Sequence, residues 1–426
     1  MPEQYVEIDR GTPMLLPVDM RDWVPSDALA RLVIDAIERS DLRRAVTNDR
    51  GTGSRQYPPG MMVSLLIYAY AHGVFSSRRI ERLTYENLSV RYVCANTHPD
   101  HDTIAKFRRE NAALFQDCMR TIIQLGQELG MVKLGMLAVD GTRLQANANR
   151  HRFATRKQLE EQQASIEELI KGLLKEAEAA DQAPQGQGEP EESPKFANER
   201  ERIAAIEAGL ERIKQREAQQ EEQKEHLAQR GRRSNASTVR INLTDPDCGI
   251  LHRKGAGTVV GFNAQIAVDV QGAGLIISNT VGAQGCDAEL LHQVLEPIEG
   301  QLGQGAKEVI VDTGYESARR AYEIEKNLGT KVIYPPRPTR VSKSPLGRMH
   351  TPEQRLVRHM RHLIKRRVES AHGQWLRQRR QTVAESAFGF IKRTLGFQHF
   401  SLRGLAKVQT EWQLVCLAFN FRKLVQ

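Results

Sequence analysis

Apolar residues near the start of the chain recur at helical spacing. Leu29, Leu32, Val33 and Ile37 fall three and four apart and predict an amphipathic helix. After the break Pro58-Pro59-Gly60, the nearly unbroken apolar run 61–70 predicts a buried helix. Residues 76–83 read as a short capped helix. Another starts in 100–110, with Asp102 or a neighbour as its N-cap. Residues 1–130 are thus expected to be a mostly helical domain. Its tight turns, and the arginines on its last helix, are compatible with a helix-turn-helix DNA binder.

The pattern then changes period. Residues 134–139 predict a strand. A charged insertion follows over 155–230. In it Leu159, Ile166, Ile170 and Leu173, then Ile203, Ile206, Leu210 and Ile213, repeat at spacings of three, four and seven. The polar stretch 182–190 separates the two sets, so the insertion reads as a helical hairpin. Strands are expected at 258–270 and 274–281, with a hairpin turn around Gly272 and Gly274. Next come a helix at 287–295 stopped by Pro297, a strand at 308–311, a helix at 316–327 and a strand at 331–334. A long basic helix over 356–395 completes the series. Such an order predicts an α/β domain over 131–426, a mixed sheet with helices on its faces, interrupted by the insertion at 150–240.

Charge is distributed unevenly. The chain carries +9 overall, but residues 331–426 hold 20 Lys/Arg against 4 Asp/Glu, a net +16, leaving −7 for the first 330. So concentrated a basic segment points to nucleic acid. No apolar run reaches the roughly 18 residues of a membrane helix, and the acidic N-terminus is unlike a secretion signal. Five scattered cysteines without a Cys-x-x-Cys pair fit a reducing cytoplasm and argue against a cysteine zinc site.

The candidate chemistry lies in three acids. Glu385 and Lys392 are seven residues apart and would share one helix face. Asp140 and Asp312 each end a strand-like run, where active sites of open α/β sheets gather. Either aspartate alone could start a turn, and Glu385 alone could make a surface ion pair. Together, beside a basic tail, they suggest an acid set able to hold two Mg²⁺ ions (or Mn²⁺) about 4 Å apart for phosphoryl transfer. No Ser-His or Cys-His arrangement suggests a covalent route.

These segments resemble those of the bacterial insertion-sequence transposases of the DDE type, whose catalytic domain is RNase H-like. The resemblance runs through Ala138–Thr142, Gly261–Asp269, Val311–Tyr315, Val383–Lys392, and the ending from Phe400 past Trp412 to Leu424. It implies that Asp140, Asp312 and Glu385 are the catalytic, metal-holding triad and that Lys392 contacts the backbone of transposon-end DNA. The family signature has an arginine four residues before the glutamate and a tyrosine seven before it. Here Gln381 and Gln378 stand at those positions, while Arg377, Arg379, Arg380 and Arg393 lie close by as DNA-binding candidates. The implied substrates are terminal inverted repeats and target DNA, held by a homodimer or larger assembly in the cytoplasm, on the nucleoid when bound. The rivals are a nuclease of the same fold and a non-catalytic DNA-binding protein.

Other polar features take structural readings. His98 and His101 lack a third metal ligand nearby. Asp245 and Asp247 are expected to cap a turn, and Asp287 to cap its helix. Asp269, which ends a strand-like run, is the best rival for an active-site acid.

Overall fold

The computed structural model describes residues 18–47, 55–181, 194–228, 239–253, 257–283, 285–337 and 351–425. Two compact units divide the chain: Met1–Gly130 with Leu414–Gln426, and Met131–Gln413. The polar stretch expected as a loop at 182–190 lies outside the described residues.

The first unit is helical: α1 (Leu29–Glu38), α2 (Pro59–Ala71), α3 (Ser77–Glu86), α4 (Leu88–Val93), α5 (His101–Glu110) and α6 (Ala112–Glu128). Its core follows the apolar pattern. From Met62 to Ala71 every residue of α2 is buried, and α1 turns Leu29, Ala30, Val33, Ala36 and Ile37 inward. The cap of α5 is Asp100, whose carboxylate accepts from the Thr103 amide at 2.8 Å; Asp102 lies in the first turn. The end of the final helix (Leu405–Leu424) belongs to this unit. There Asn420 Nδ2 donates to Met119 Sδ at 3.4 Å.

The second unit is built on a six-stranded mixed sheet. In chain order its elements are β1 (Met136–Gln145), β2 (Phe153–Thr155), α7 (Arg156–Asp181), α8 (Pro194–Ala228), β3 (Arg240–Asn242), β4 (Gly249–Arg253), β5 (Gly257–Asp269), β6 (Ile276–Gly282), α9 (Asp287–Leu302), β7 (Glu308–Ile310), α10 (Ala318–Leu328), β8 (Lys331–Ile333), α11 (Pro352–Glu369) and α12 (Ala371–Arg380). The strand order is β4-β5-β1-β7-β8, with β6 also on β5. One edge of β5 runs antiparallel to β1. Its other edge is shared, β4 pairing with its first half and β6 with its second. The β1-β7-β8 side is parallel, and α10 connects β7 to β8, because parallel neighbours need a crossover. Antiparallel β5 and β6 need only a turn, eased by Gly274 at φ +80°.

The insertion leaves the sheet after β1. A two-stranded β2-β3 ribbon closes its base. Leu159, Ile166, Ile206 and Ile213 join Ala154 and Ile241 in a small core of their own. Arg212 Nε on α8 meets Asp247 Oδ1 at 2.7 Å, and Arg216 donates to the carbonyls of Pro246, Asp247 and Cys248. These contacts fasten α8 to the turn that precedes β4.

Three elements depart from the sequence expectation. β1 does not end at Val139 but runs on to Gln145, because β5 pairs with it throughout. α9 continues through Pro297 to Leu302, ending at Gly303 with φ +72°. Burial of Leu290, Leu291, Val294, Leu295 and Ile298 outweighs the hydrogen bond the proline removes. The basic run is two helices, not one. Ser370 caps α12 by accepting from the Gly373 amide at 3.0 Å. A Cβ on Gly373 would stand 2.0 Å from the Arg367 carbonyl oxygen, so the bend requires glycine.

Candidate active site

Asp140 sits mid-strand in β1, at the centre of the sheet. The parallel register pairs Ala138 with Ile310. Asp140 and Asp312 each lie two residues beyond that last pair. Asp312 caps the short 3-10 turn Thr313–Tyr315, its Oδ1 accepting from the Gly314 amide at 2.8 Å. Both Asp312 and Glu385 act as like charges on Asp140.

Glu385 reaches the same place from the helical segment after α12. That segment is irregular: Gln381–Glu385 is a π-turn, α13 (Ser386–Gly389) follows, and Phe390–Thr394 is a second π-turn. Arg380 lies between two of the acids. Its Nη1 is 3.3 Å from Asp140 Oδ2 and its Nη2 3.5 Å from Glu385 Oε1.

Lys392 joins the site through Thr142, two residues past Asp140 and on the same face of β1. Its Nζ donates to Thr142 Oγ1 and stands 6.0 Å from the Phe388 ring centroid. An open cleft of about 510 Å³ is lined by Asp140, Glu385, Ser386, Phe388, Gly389, Lys392 and Arg393. Of the other sequence candidates, Arg377 is exposed on α12. Arg379 Nη2 donates to the Val270 carbonyl at 2.9 Å, toward the β5-β6 turn and not the cleft.

The opposite face of β1 carries a polar network that pattern reading missed. Gly141 pairs with Gln265, and a Cβ there would stand 2.0 Å from Gln265 Nε2. Gln265 accepts from the Tyr315 hydroxyl. It donates to Asn263 Oδ1 at 2.9 Å and Asp287 Oδ1 at 3.2 Å. Asn263 Nδ2 donates to the same Asp287 oxygen at 2.7 Å, and Arg143 Nη2 is 3.6 Å from Asp287 Oδ2. Trp412 Nε1 donates to the Gln265 carbonyl at 3.0 Å. Asp287 is therefore not the expected cap; Cys286 holds that position in α9. It is a fourth acid beside the site: a Cβ on Gly314 would lie 2.9 Å from both Asp287 Oδ2 and Asp312 Oδ1. The alternation Asn263, Gln265 on β5 is the one sequence signal that could have pointed to it, since two amides on one strand face need a buried partner.

The remaining candidates are structurally engaged. Asp269 Oδ2 accepts from the amides of Lys133 and Gly272, at 3.1 and 2.8 Å, and fixes the hairpin turn. Asp245 Oδ1 accepts from the Asp247 amide at 3.1 Å. His98 meets Thr84 Oγ1 at 3.0 Å, and His101 meets Glu81 Oε2 at 2.8 Å.

Burial pushes the Asp140 carboxyl up to about 6, against the pull of Arg380 and the Gly141 amide and with a push from Asp312 and Glu385. A raised carboxyl favours folding while protonated. Below about pH 4 Asp140 costs nothing; between about 4 and 6 the unfolded chain ionises more readily and stability is lost; above 6 the cost is constant. Asp140→Asn is expected to stabilise the metal-free protein by up to about 3 kcal/mol at pH 7 and by about a third of that at pH 4.5. Melting curves in a chelator at the two pH values measure this; equal shifts at both would contradict it.

Asp140, Asp312 and Glu385 present oxygen donors of the kind Mg²⁺ takes. Among the described residues, however, no three His, Cys, Asp or Glu side chains close on one ion position. The donors fit in kind, and the Arg380 guanidinium holds the space between two of them.

A mixed sheet with helices on it, carrying acids on β1, just past the adjacent β7 and on a helical segment, is the arrangement expected of an RNase H-like domain. Residues 236–421 match the Transposase DDE domain family, and residues 18–110 match the Transposase domain (DUF772) family. Both matched domains are transposase domains, consistent with an insertion-sequence transposase of the DDE type. Asp140 lies between the matched segments. No curated protein and no solved structure matches the chain. The family acts on DNA and generally uses divalent metals.

Proposed function

We propose that this protein binds the terminal inverted repeats of its own insertion sequence, cuts the ends to free 3′-hydroxyls and joins these to target DNA by direct phosphoryl transfer. The carrying observation is a cleft lined by Asp140, Glu385, Lys392 and Arg393, with Asp312 near enough to act as a like charge on Asp140. Asp140, Asp312 and Glu385 are the groups we assign to hold Mg²⁺, which when bound supplies positive charge at the phosphoryl oxygens. The Lys392 ammonium, steadied by Thr142, fits a backbone phosphate at the cleft. Arg393, exposed at the rim, and the basic helices α11 and α12 extend that surface.

Two ends must be brought together, so a homodimer or larger assembly on paired ends follows from the reading. No helix of the described residues is long and apolar enough to cross a membrane, and action on the nucleoid in the cytoplasm is the matching location. The test is cleavage and joining of labelled DNA carrying the ends of the flanking element, with Mg²⁺. Freed 3′ ends joined to a target support the proposal. Cleavage without joining would leave a nuclease, and binding without cleavage a DNA-binding protein.

A further inference from the structure

The acid cluster contains a cation of its own. The Arg380 side chain is only 12% exposed and bridges carboxylates from two different elements, Asp140 on the central strand and Glu385 on the helical segment. The backbone builds this bridge. In an α-helix residues five apart point about 140° away from each other. Gln381–Glu385 is a π-turn, whose hydrogen bonds close from i to i+5. The wider turn brings residues five apart onto one side, and Arg380 and Glu385 are five apart. The irregular turn is what aims the guanidinium at Glu385 while Asp140 holds its other end.

Like-charged carboxylates near one another, as Asp312 and Glu385 are to Asp140, are eased by positive charge among them. In this structure the guanidinium supplies it between Asp140 and Glu385, and among the described residues no three acids close on an ion. Glu385 is 57% exposed and free to turn toward a different cation. Arg380 cannot withdraw by losing a proton, since guanidinium stays charged; it leaves only by swinging out.

We propose that Arg380 is the resident counter-cation of the acid cluster: it holds Asp140 and Glu385 together in the metal-free protein and competes with an entering divalent cation for the same two carboxylates. The inference rests on the assignment of Asp140, Asp312 and Glu385 as metal-holding groups. A displaced guanidinium beside the cleft becomes a fork for a DNA phosphate. Phosphate binding and metal entry therefore assist each other, each stabilising the arrangement the other needs.

Mn²⁺ binding to the full chain, followed by electron paramagnetic resonance of the free ion, tests this in wild type, Arg380→Gln, Arg380→Met and Asp312→Asn. Melting curves in a chelator confirm which variants fold, and Arg380→Met keeps the apolar length of the side chain should Arg380→Gln not fold. Removing a positive charge a few ångströms from the ion is expected to tighten Mn²⁺ binding about tenfold or more in either variant. Asp312→Asn is expected to weaken it. If wild type binds Mn²⁺, Asp312→Asn weakens it, and neither Arg380 variant binds more tightly, the competition is refuted while the metal assignment stands. If neither wild type nor the Arg380 variants bind Mn²⁺, the metal assignment falls and the inference with it.

Discussion

Glu385→Gln is expected to cut DNA cleavage by about a thousandfold while leaving folding and end binding intact. The substitution keeps the shape of the side chain and removes its charge. Glu385 is mostly exposed and meets Arg380 at 3.5 Å, so little packing is lost. A neutral amide is a much poorer partner for a divalent cation than a carboxylate. The measurement is cleavage of labelled end DNA in Mg²⁺, with binding followed by gel shift on the same samples. A variant that binds but does not cut places Glu385 in the chemistry. Should it cut as well as wild type, the acid assignment must be redrawn. Asp287 would then be tested next, because it lies near Asp312, whereas Asp269 is committed to its turn.

The largest loss of stability is expected from Gly261→Ala. A Cβ there would stand 2.0 Å from the Leu144 carbonyl oxygen, 2.9 Å from its carbon and 3.2 Å from Gln145 Cα. All three are backbone atoms of β1, and no side chain can turn aside to make room. Relief requires β1 and β5 to separate where Gln145 pairs with Gly261. The cost is expected at about 3 kcal/mol or more, a large part of the roughly 5–15 kcal/mol that holds a domain together. Since Asp140 lies on the same β1, activity should fall with stability. Gly172→Ala is the control: nothing lies within 4 Å of a Cβ there in α7, so it is expected to be neutral or to stabilise by up to about 1 kcal/mol. Urea unfolding of the two variants checks both signs; a Gly261→Ala protein as stable as wild type would contradict the close approach.

Local pattern made much of this legible. The apolar run of α2, the Gly272–Gly274 turn and the strand preceding Asp312 depend on residues near in sequence, and each could be read without the rest. The limits appear where distant segments decide. Polar residues past Asp140 look like a turn until β5 is known to pair with all of β1. Asp287 looks like a helix cap until Asn263 and Gln265, from another strand, donate to it. Pro297 looks like a stop until burial of Ile298 is counted. Arg380 looks like one of several nearby arginines until the π-turn brings the fifth residue, not the fourth, against Glu385.

The division of the final helix has a consequence for biosynthesis. Leu414–Gln426 completes the compact unit of the first 130 residues, and Leu414–Phe421 are all buried. A nascent chain emerging from the ribosome has made the first six helices long before it makes the segment that finishes their core. The opening domain must therefore wait, its apolar surface incompletely covered, until residues 414–426 have been made. A polypeptide released early carries that domain without its closing piece, so abortive synthesis should yield products that proteases clear rather than stable fragments.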